Sequence, residues 1–380
     1  MNNIFKIVIG SYIAITLTGC KDLYYPPDSA NDVRSLVVEG LLNSGQAPTV
    51  IRLSRTVNLN DTAKIKYELG AQVTVEGENG SKFTLTGNTK GEYSIAQLSL
   101  NDNVKYRVRI RTTDSKEYLS DFVPVQTAPP IDSIVWKRKE DGLQPGIQIF
   151  LNSHDDQNKT KYYRWEYDET WEFHSPYPSY YEYVNGLFIP RPDPTKLWMC
   201  WRSEPSNTIL VGSSAQLAQD VISLAPITLV PFGSIKMTVR YSILVRQYAL
   251  TKEAYDYWDI LRKNTEQVGT LFDPQPSHLK SNIHCTSVPD EQVIGFISAG
   301  TITEKRIFIT NDEVRPWNYF HNCGDETEVF PMDYVGLFGS HTLIPTRAHT
   351  VMGVAISYYG SYPSCVDCTL SGTNVKPSFW

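Results

Sequence analysis

Histidine and methionine are scarce in this chain of 380 residues, seven and five in all, and the histidines are dispersed. No His-Glu-x-x-His or comparable cluster forms, so a zinc hydrolase has no ligand set, and neither a metal nor a cofactor is expected. A Gly-x-Ser-x-Gly elbow is missing, as is a glycine-rich phosphate loop leading into a helix, which removes the sequence signals of an α/β-hydrolase and of a nucleotide-binding fold. Basic charge is not in excess either: 35 Lys and Arg stand against 41 Asp and Glu, a net charge of −6 with no basic stripe. That is not the electrostatic footprint of a nucleic-acid binder.

What is present begins with an address. Lys6 precedes an apolar run at residues 7–17, followed by Leu17-Thr18-Gly19-Cys20. The run is about a dozen residues, where a spanning helix needs roughly 20. A basic start, a short apolar stretch and small residues before a cysteine describe a secretory signal with a lipobox. Residues 1–19 are read as a signal peptide cut before Cys20, whose thiol carries lipid, and residues 20–35 as a polar, proline-containing tether. The membrane is then a partner through the lipid on Cys20, and several acyl chains on such a cysteine anchor firmly.

Five cysteines remain after Cys20: Cys200, Cys285, Cys323, Cys365 and Cys368. All are candidate disulfide cysteines, but the number is odd, so at most two bridges form within the chain and the connectivity stays open. Cys365 and Cys368 have the spacing of half a zinc ribbon or of a redox dithiol. The second ligand pair of the one and the strand-then-helix context of the other are both missing, which leaves a structural disulfide as the reading for one or both.

With 41% hydrophobic and 20% charged residues the chain is globular. Short alternating segments at residues 36–42, 49–53, 71–76, 82–86, 91–95 and 105–112, separated by turns such as Gly77-Glu78-Asn79-Gly80, predict a β-sandwich over 36–127. Residues 127–130 read as a linker. A second β-rich domain is expected over 131–380, with residues 146–152 and 161–171 as the two strands of a hairpin and a long strand over 235–250. Helical spacing of Ala254, Tyr257, Trp258 and Leu261 after a Thr251 cap predicts a helix near 252–264, and a shorter one is expected over 214–222. The fold class is therefore mostly β: an N-terminal immunoglobulin-like or carboxypeptidase-regulatory-like sandwich, then a second β-rich domain with one or two helices.

Residues 171–201 are dense in aromatics and interrupted by prolines, which predicts an extended or looped surface. Large amphipathic rings anchor interfaces and stack on sugars or peptides, so Tyr177, Tyr180, Tyr181, Tyr183, Phe188 and Trp198 form the candidate binding face. Trp165 and Trp171 are expected in the core. No catalytic residue is assigned. Should the chain hydrolyse glycans or peptides, Asp155, Asp168, Glu169 and Glu172 near the aromatic run are the acids to examine first.

The stretch RYSILVRQYALTKEAYDYWD at residues 240–259, with Asn264-Thr265-Glu266-Gln267, residues 272–277 and the ending from Cys365 to Trp380, resembles the Bacteroidota lipoprotein family catalogued as domain of unknown function 4249. The resemblance implies no chemistry, but such genes commonly accompany TonB-dependent outer-membrane receptors. Lys21-Asp22 is similar to the signals that send lipoproteins of that phylum to the cell surface. Ser29, Thr62 and Ser133 sit in tripeptides similar to its O-glycosylation sites, all in expected tether, loop or linker positions where a bulky sugar fits. The expectation is thus a non-enzymatic outer-membrane lipoprotein, lipid-anchored and exposed at the cell surface. It would serve a TonB-dependent receptor barrel in nutrient uptake, with a glycan or peptide as ligand. The alternatives are a structural or adhesive surface component and a surface hydrolase.

Overall fold

The computed structural model describes residues 34–57, 65–140, 142, 144–266 and 279–380. The residues read as a signal peptide and lipobox, with Cys20, and Ser29, Thr62 and the expected proline turn at 273–277 lie outside the described residues. The chain is mostly β, as its alternation predicts, and no helix among the described residues is long and apolar enough to cross a membrane.

The first sandwich follows from period-two patterning. Leu36–Asn43 pairs with Thr49–Arg55, which also pairs with Glu92–Ile95, while Gln72–Gly77 lies between Lys82–Gly87 and Tyr106–Arg111. Every second side chain turns inward, so Leu36, Val38, Ile51, Leu53, Val73, Val75, Val108 and Ile110 make one core. Three strands from far down the chain complete it. Ile283–Cys285 adds to Glu117–Ser120, and Val293–Gly295 and Ser298–Gly300 run parallel to Leu36–Asn43. Residue 127 therefore marks a change of sheet and not the end of this sandwich.

The parallel contact is close at Gly295, which has φ +144°. A Cβ there would collide with the Val38 carbonyl oxygen. Gly295→Ala is expected to cost about 1–3 kcal/mol, read as a lower urea midpoint. An unchanged midpoint would mean that this strand does not pack as described.

A second sandwich stacks the three-stranded sheet of Ile131–Lys139, Gly146–His154 and Val221–Pro231 on a five-stranded sheet. In the latter, Tyr162–His174 pairs with Arg240–Leu250, which pairs with Ile302–Thr310, while Leu210–Ser213 and Met199–Pro205 share the other edge of Tyr162–His174. Trp165, Tyr167, Trp171, Tyr241, Ile243, Val245 and Ile309 face Ile147, Ile149 and Leu151 across the core.

Three expectations are corrected here. Gly146–His154 and Tyr162–His174 are not hairpin partners; they belong to opposing sheets. The loop between them is folded by Asp155, whose carboxylate accepts the backbone N–H groups of Gln157, Lys159 and Thr160, and it crosses from one sheet to the other. Alternation looks the same for a paired strand and a facing one, which is why the pattern misleads. No helix forms over 214–222; a turn leads into Val221–Pro231, and Asp220 is buried against the hydroxyls of Tyr163 and Ser214. Ser133 lies in a strand and not in a linker, with its hydroxyl accepting from Asn152 Nδ2 at 2.9 Å.

The helix Lys252–Glu266 is where the sequence places it, and the Thr251 hydroxyl accepts from the Ala254 N–H at 3.2 Å. Its apolar side, Ala254, Tyr257, Trp258 and Leu261, packs with Tyr248 and Leu250 of the second sandwich and with Leu41 and Phe296 of the first. That shared cluster fixes the two sandwiches against each other. A third small layer, Thr327–Val329, Ile344–Val351 and Val354–Ser361, ends the fold.

Candidate functional site

A cleft of about 720 Å³ lies where the two sandwiches meet over the helix. That is within the range of small-molecule sites, roughly 300–1,000 Å³. One wall is the outer side of the first sandwich, with Glu39, Leu41, Val50 and Arg52; the other is the outward face of the five-stranded sheet. The cleft is open because the edge of Tyr162–His174 is interrupted. Leu210–Ser213 covers its start and Met199–Pro205 its end, and the connecting loop at residues 206–209 folds outward between them. Ser206 N–H to the Tyr167 carbonyl at 2.7 Å and Ile209 N–H to Glu266 Oε1 at 3.1 Å pin that loop.

The sheet's outward face carries the polar phase of the same alternation that builds the core. Glu166, Arg246 and Glu304 stand in one row across three strands, and Asp168, Leu244 and Arg306 in the next. Arg246 donates to Asp168 Oδ2 at 2.6 Å and to Glu304 Oε1 at 2.9 Å. Burial alone would favour the neutral guanidine, but these carboxylates prevail and hold Arg246 above the ordinary guanidinium value. Arg164 is held flat between Tyr248 and Trp258, its guanidinium carbon 4.6 and 4.2 Å from the ring centroids, and it pairs with Glu166. Burial and the nearby Glu166 carboxylate, which accepts the Tyr248 hydroxyl at 2.6 Å, push the phenol well above its usual pKa. The floor is therefore a neutralised ladder of fixed charges between aromatic rings, suited to hydrogen-bonding a polar ligand.

The four acids singled out by sequence are not brought together. Asp155 caps its turn, and Asp168 faces the cleft under Arg246. Glu169 points inward to the Tyr241 hydroxyl at 2.7 Å and to Lys236 at 2.5 Å. Glu172, back on the outer face, accepts from Trp380 Nε1 at 3.0 Å and contacts His174. Among the described residues no group of three or more His, Cys, Asp or Glu could hold a metal ion.

The aromatic run is only partly a surface. Despite its prolines it contains the hairpin Tyr181–Val184 and Leu187–Pro190. Tyr183 and Phe188 turn into a cluster with Tyr334, Phe338 and Tyr358, Phe188 stacking on Tyr358 at 3.5 Å and Tyr181 meeting the same ring edge-on at 5.2 Å. Trp198 lies on His174, and the Tyr177 hydroxyl donates to the Gly324 carbonyl at 2.8 Å. Of the six candidates only Tyr180 is exposed. These rings chiefly fasten the third layer. Cys200 is bridged to Cys368 within the core of the second sandwich and Cys323 to Cys365 farther along the chain, while Cys285 is a buried free thiol in the first sandwich.

Sequence reasoning missed Arg164, Glu304 and Arg306. The signal was there: between the core residues Tyr241, Ile243 and Val245, the intervening Arg240, Ser242, Leu244 and Arg246 form a second face that deserved its own reading.

Fold and cleft together define a multi-sandwich β protein with a polar, ring-flanked groove and no assigned chemistry. The sequence model of the domain of unknown function DUF4249 matches residues 23–306, and the chain belongs to that family. No curated protein matches it.

Proposed function

We propose that this is an outer-membrane lipoprotein that binds a nutrient and works with a TonB-dependent receptor in its uptake. The observation that carries the binding role is the cleft of about 720 Å³, whose floor holds Arg246 between Asp168 and Glu304 and Arg164 between the rings of Tyr248 and Trp258. Such a floor orients a polar ligand without offering a nucleophile and base in contact. The address is supported by Leu17-Thr18-Gly19-Cys20, and the receptor is the expectation carried over from the family resemblance of the sequence. Outer membranes solubilised in mild detergent are expected to release the protein together with a receptor barrel. Recovery of the protein alone under those conditions would remove the receptor from the proposal.

A further inference from the structure

Beyond the cleft, the same outward face continues toward the end of the chain and changes character. Arg246 and Arg164 are matched by carboxylates; Arg306 and Arg240 are not. Arg306 donates to the Ser242 hydroxyl at 3.0 Å and lies over the Phe379 ring at 3.6 Å. Arg240 lies over Phe308 at 4.2 Å and Trp380 at 5.3 Å. Both are half-buried, and among the described residues neither has a carboxylate within ion-pairing distance. The nearby acids are hydrogen-bonded elsewhere, Glu172 by His174 and Trp380 and Asp168 and Glu304 by Arg246, and reach these arginines only through their field: Glu172 lies opposite Arg240 across the strands, and Asp168 and Glu304 act on Arg306. Burial, with Arg246 beside it, draws Arg306 below the ordinary guanidinium value in spite of Asp168 and Glu304. An under-compensated cation in a partly dry place is costly, and two of them fixed by rings are preorganised donors awaiting an anion.

We propose that Arg240 and Arg306, with Phe308, Phe379 and Trp380, form a binding strip for an oligosaccharide that carries carboxylate groups, continuous with the cleft floor at Arg246. This rests on the ligand-binding reading above and names its ligand class. Arg306 is opposite Leu244, four residues along the strand from Arg240. At ~3.4 Å per residue the two cations are roughly 14 Å apart along the sheet. That spacing calls for an extended ligand with anionic groups at intervals, not one small anion. The rings between and beside the cations offer flat apolar surface for sugar faces. An acidic peptide, which would add through its backbone to the edge strand Ile302–Thr310 and not lie across the sheet's face, is the outcome that the oligoglutamate arm of the test separates.

The test is calorimetry on the full mature chain with short oligogalacturonates, with their methyl esters as uncharged counterparts. Binding is expected for the acid and not for the ester, weakening as salt is raised. Arg306→Gln and Arg240→Gln should each weaken it by about tenfold or more, the loss of a charge-assisted contact. Arg111→Gln, exposed at the end of a strand in the first sandwich, should leave it unchanged. Each Gln variant gives up its ring contacts, so a small fall in melting temperature is expected; Arg306→Lys and Arg240→Lys, which keep the charge, should restore part of the binding of the acid, whereas a purely structural role would not be rescued in that way. Equal binding of acid and ester, indifference to both substitutions, or tighter binding of an oligoglutamate would each overturn the assignment. Those outcomes leave copurification with a receptor barrel untouched, so the two readings fail separately.

Discussion

Glu291→Ala should destabilise the protein by about 3–5 kcal/mol, the range for removing one partner of a buried ion pair. The Glu291 side chain is 5% exposed and accepts from Tyr118 Oη at 2.6 Å, Lys116 Nζ at 2.6 Å and Arg55 Nη1 at 3.3 Å. Arg55 is itself buried and also held by Glu68 at 2.6 Å. Glu291 belongs to the segment that supplies the last strands of the first sandwich, so it ties residues 283–300 to strands formed more than 170 positions earlier. Urea unfolding of wild type and variant checks the magnitude, and Glu291→Gln, which keeps an acceptor for Tyr118, should cost less. A loss below about 1 kcal/mol would put the pair in the class of surface bridges.

The same carboxylate sets a pH dependence. Burial would raise its pKa, but hydrogen bonds from Lys116 and Tyr118 and the charges of Lys116 and Arg55 outweigh that and hold it below the ordinary carboxylate range. A depressed folded pKa means stability that is fully present above the unfolded value, about 4.3, and lost as pH falls through it toward the folded value. Glu76, under Arg109 and Arg107, has the same sign. Wild-type unfolding free energy should therefore drop below about pH 4.5, and the slope should be shallower in Glu291→Gln.

Removing the Cys200–Cys368 bridge with paired serines is expected to cost up to about 5 kcal/mol, because it closes a loop of 168 residues. The Cys323–Cys365 bridge closes 42, so its loss should cost about 1 kcal/mol less on chain entropy alone. Cys200 is fully buried in the core of the second sandwich, and Cys368, from the end of the chain, joins the same core. Guanidinium melts of the two double-serine variants give the order directly. The reverse order would show that strain or residual structure outweighs loop length. Reductant should act on both bridges and leave Cys285, buried among Val293 and Ile283, without a disulfide to lose.

How much of this was legible depends on range. Alternation is a local property, and it placed Leu36–Asn43, Thr49–Arg55 and Tyr106–Arg111 within a residue or two of their observed bounds. The Thr251 cap and the Ala254, Tyr257, Leu261 spacing did the same for the helix. Pairing is not local. Nothing in residues 283–300 announces that they run beside Leu36–Asn43, and nothing in residues 146–171 distinguishes strands in one sheet from strands facing each other across a core. The aromatic run was conspicuous, yet Tyr183 and Phe188 were free to turn inward once Phe338 and Tyr358 arrived from the end of the chain. The charged face was visible only as the polar half of strands read for their apolar half.

The sequence by itself determined the β character, the helix and its cap, and the odd cysteine, since each depends on neighbours a few positions apart or on a count. Tertiary structure alone decided which cysteines meet, that the first sandwich borrows its last strands, and that Arg246 is matched while Arg240 and Arg306 are not. Charge compensation is a matter of distances of a few ångströms between residues far apart in sequence, and only the folded sheet sets those distances.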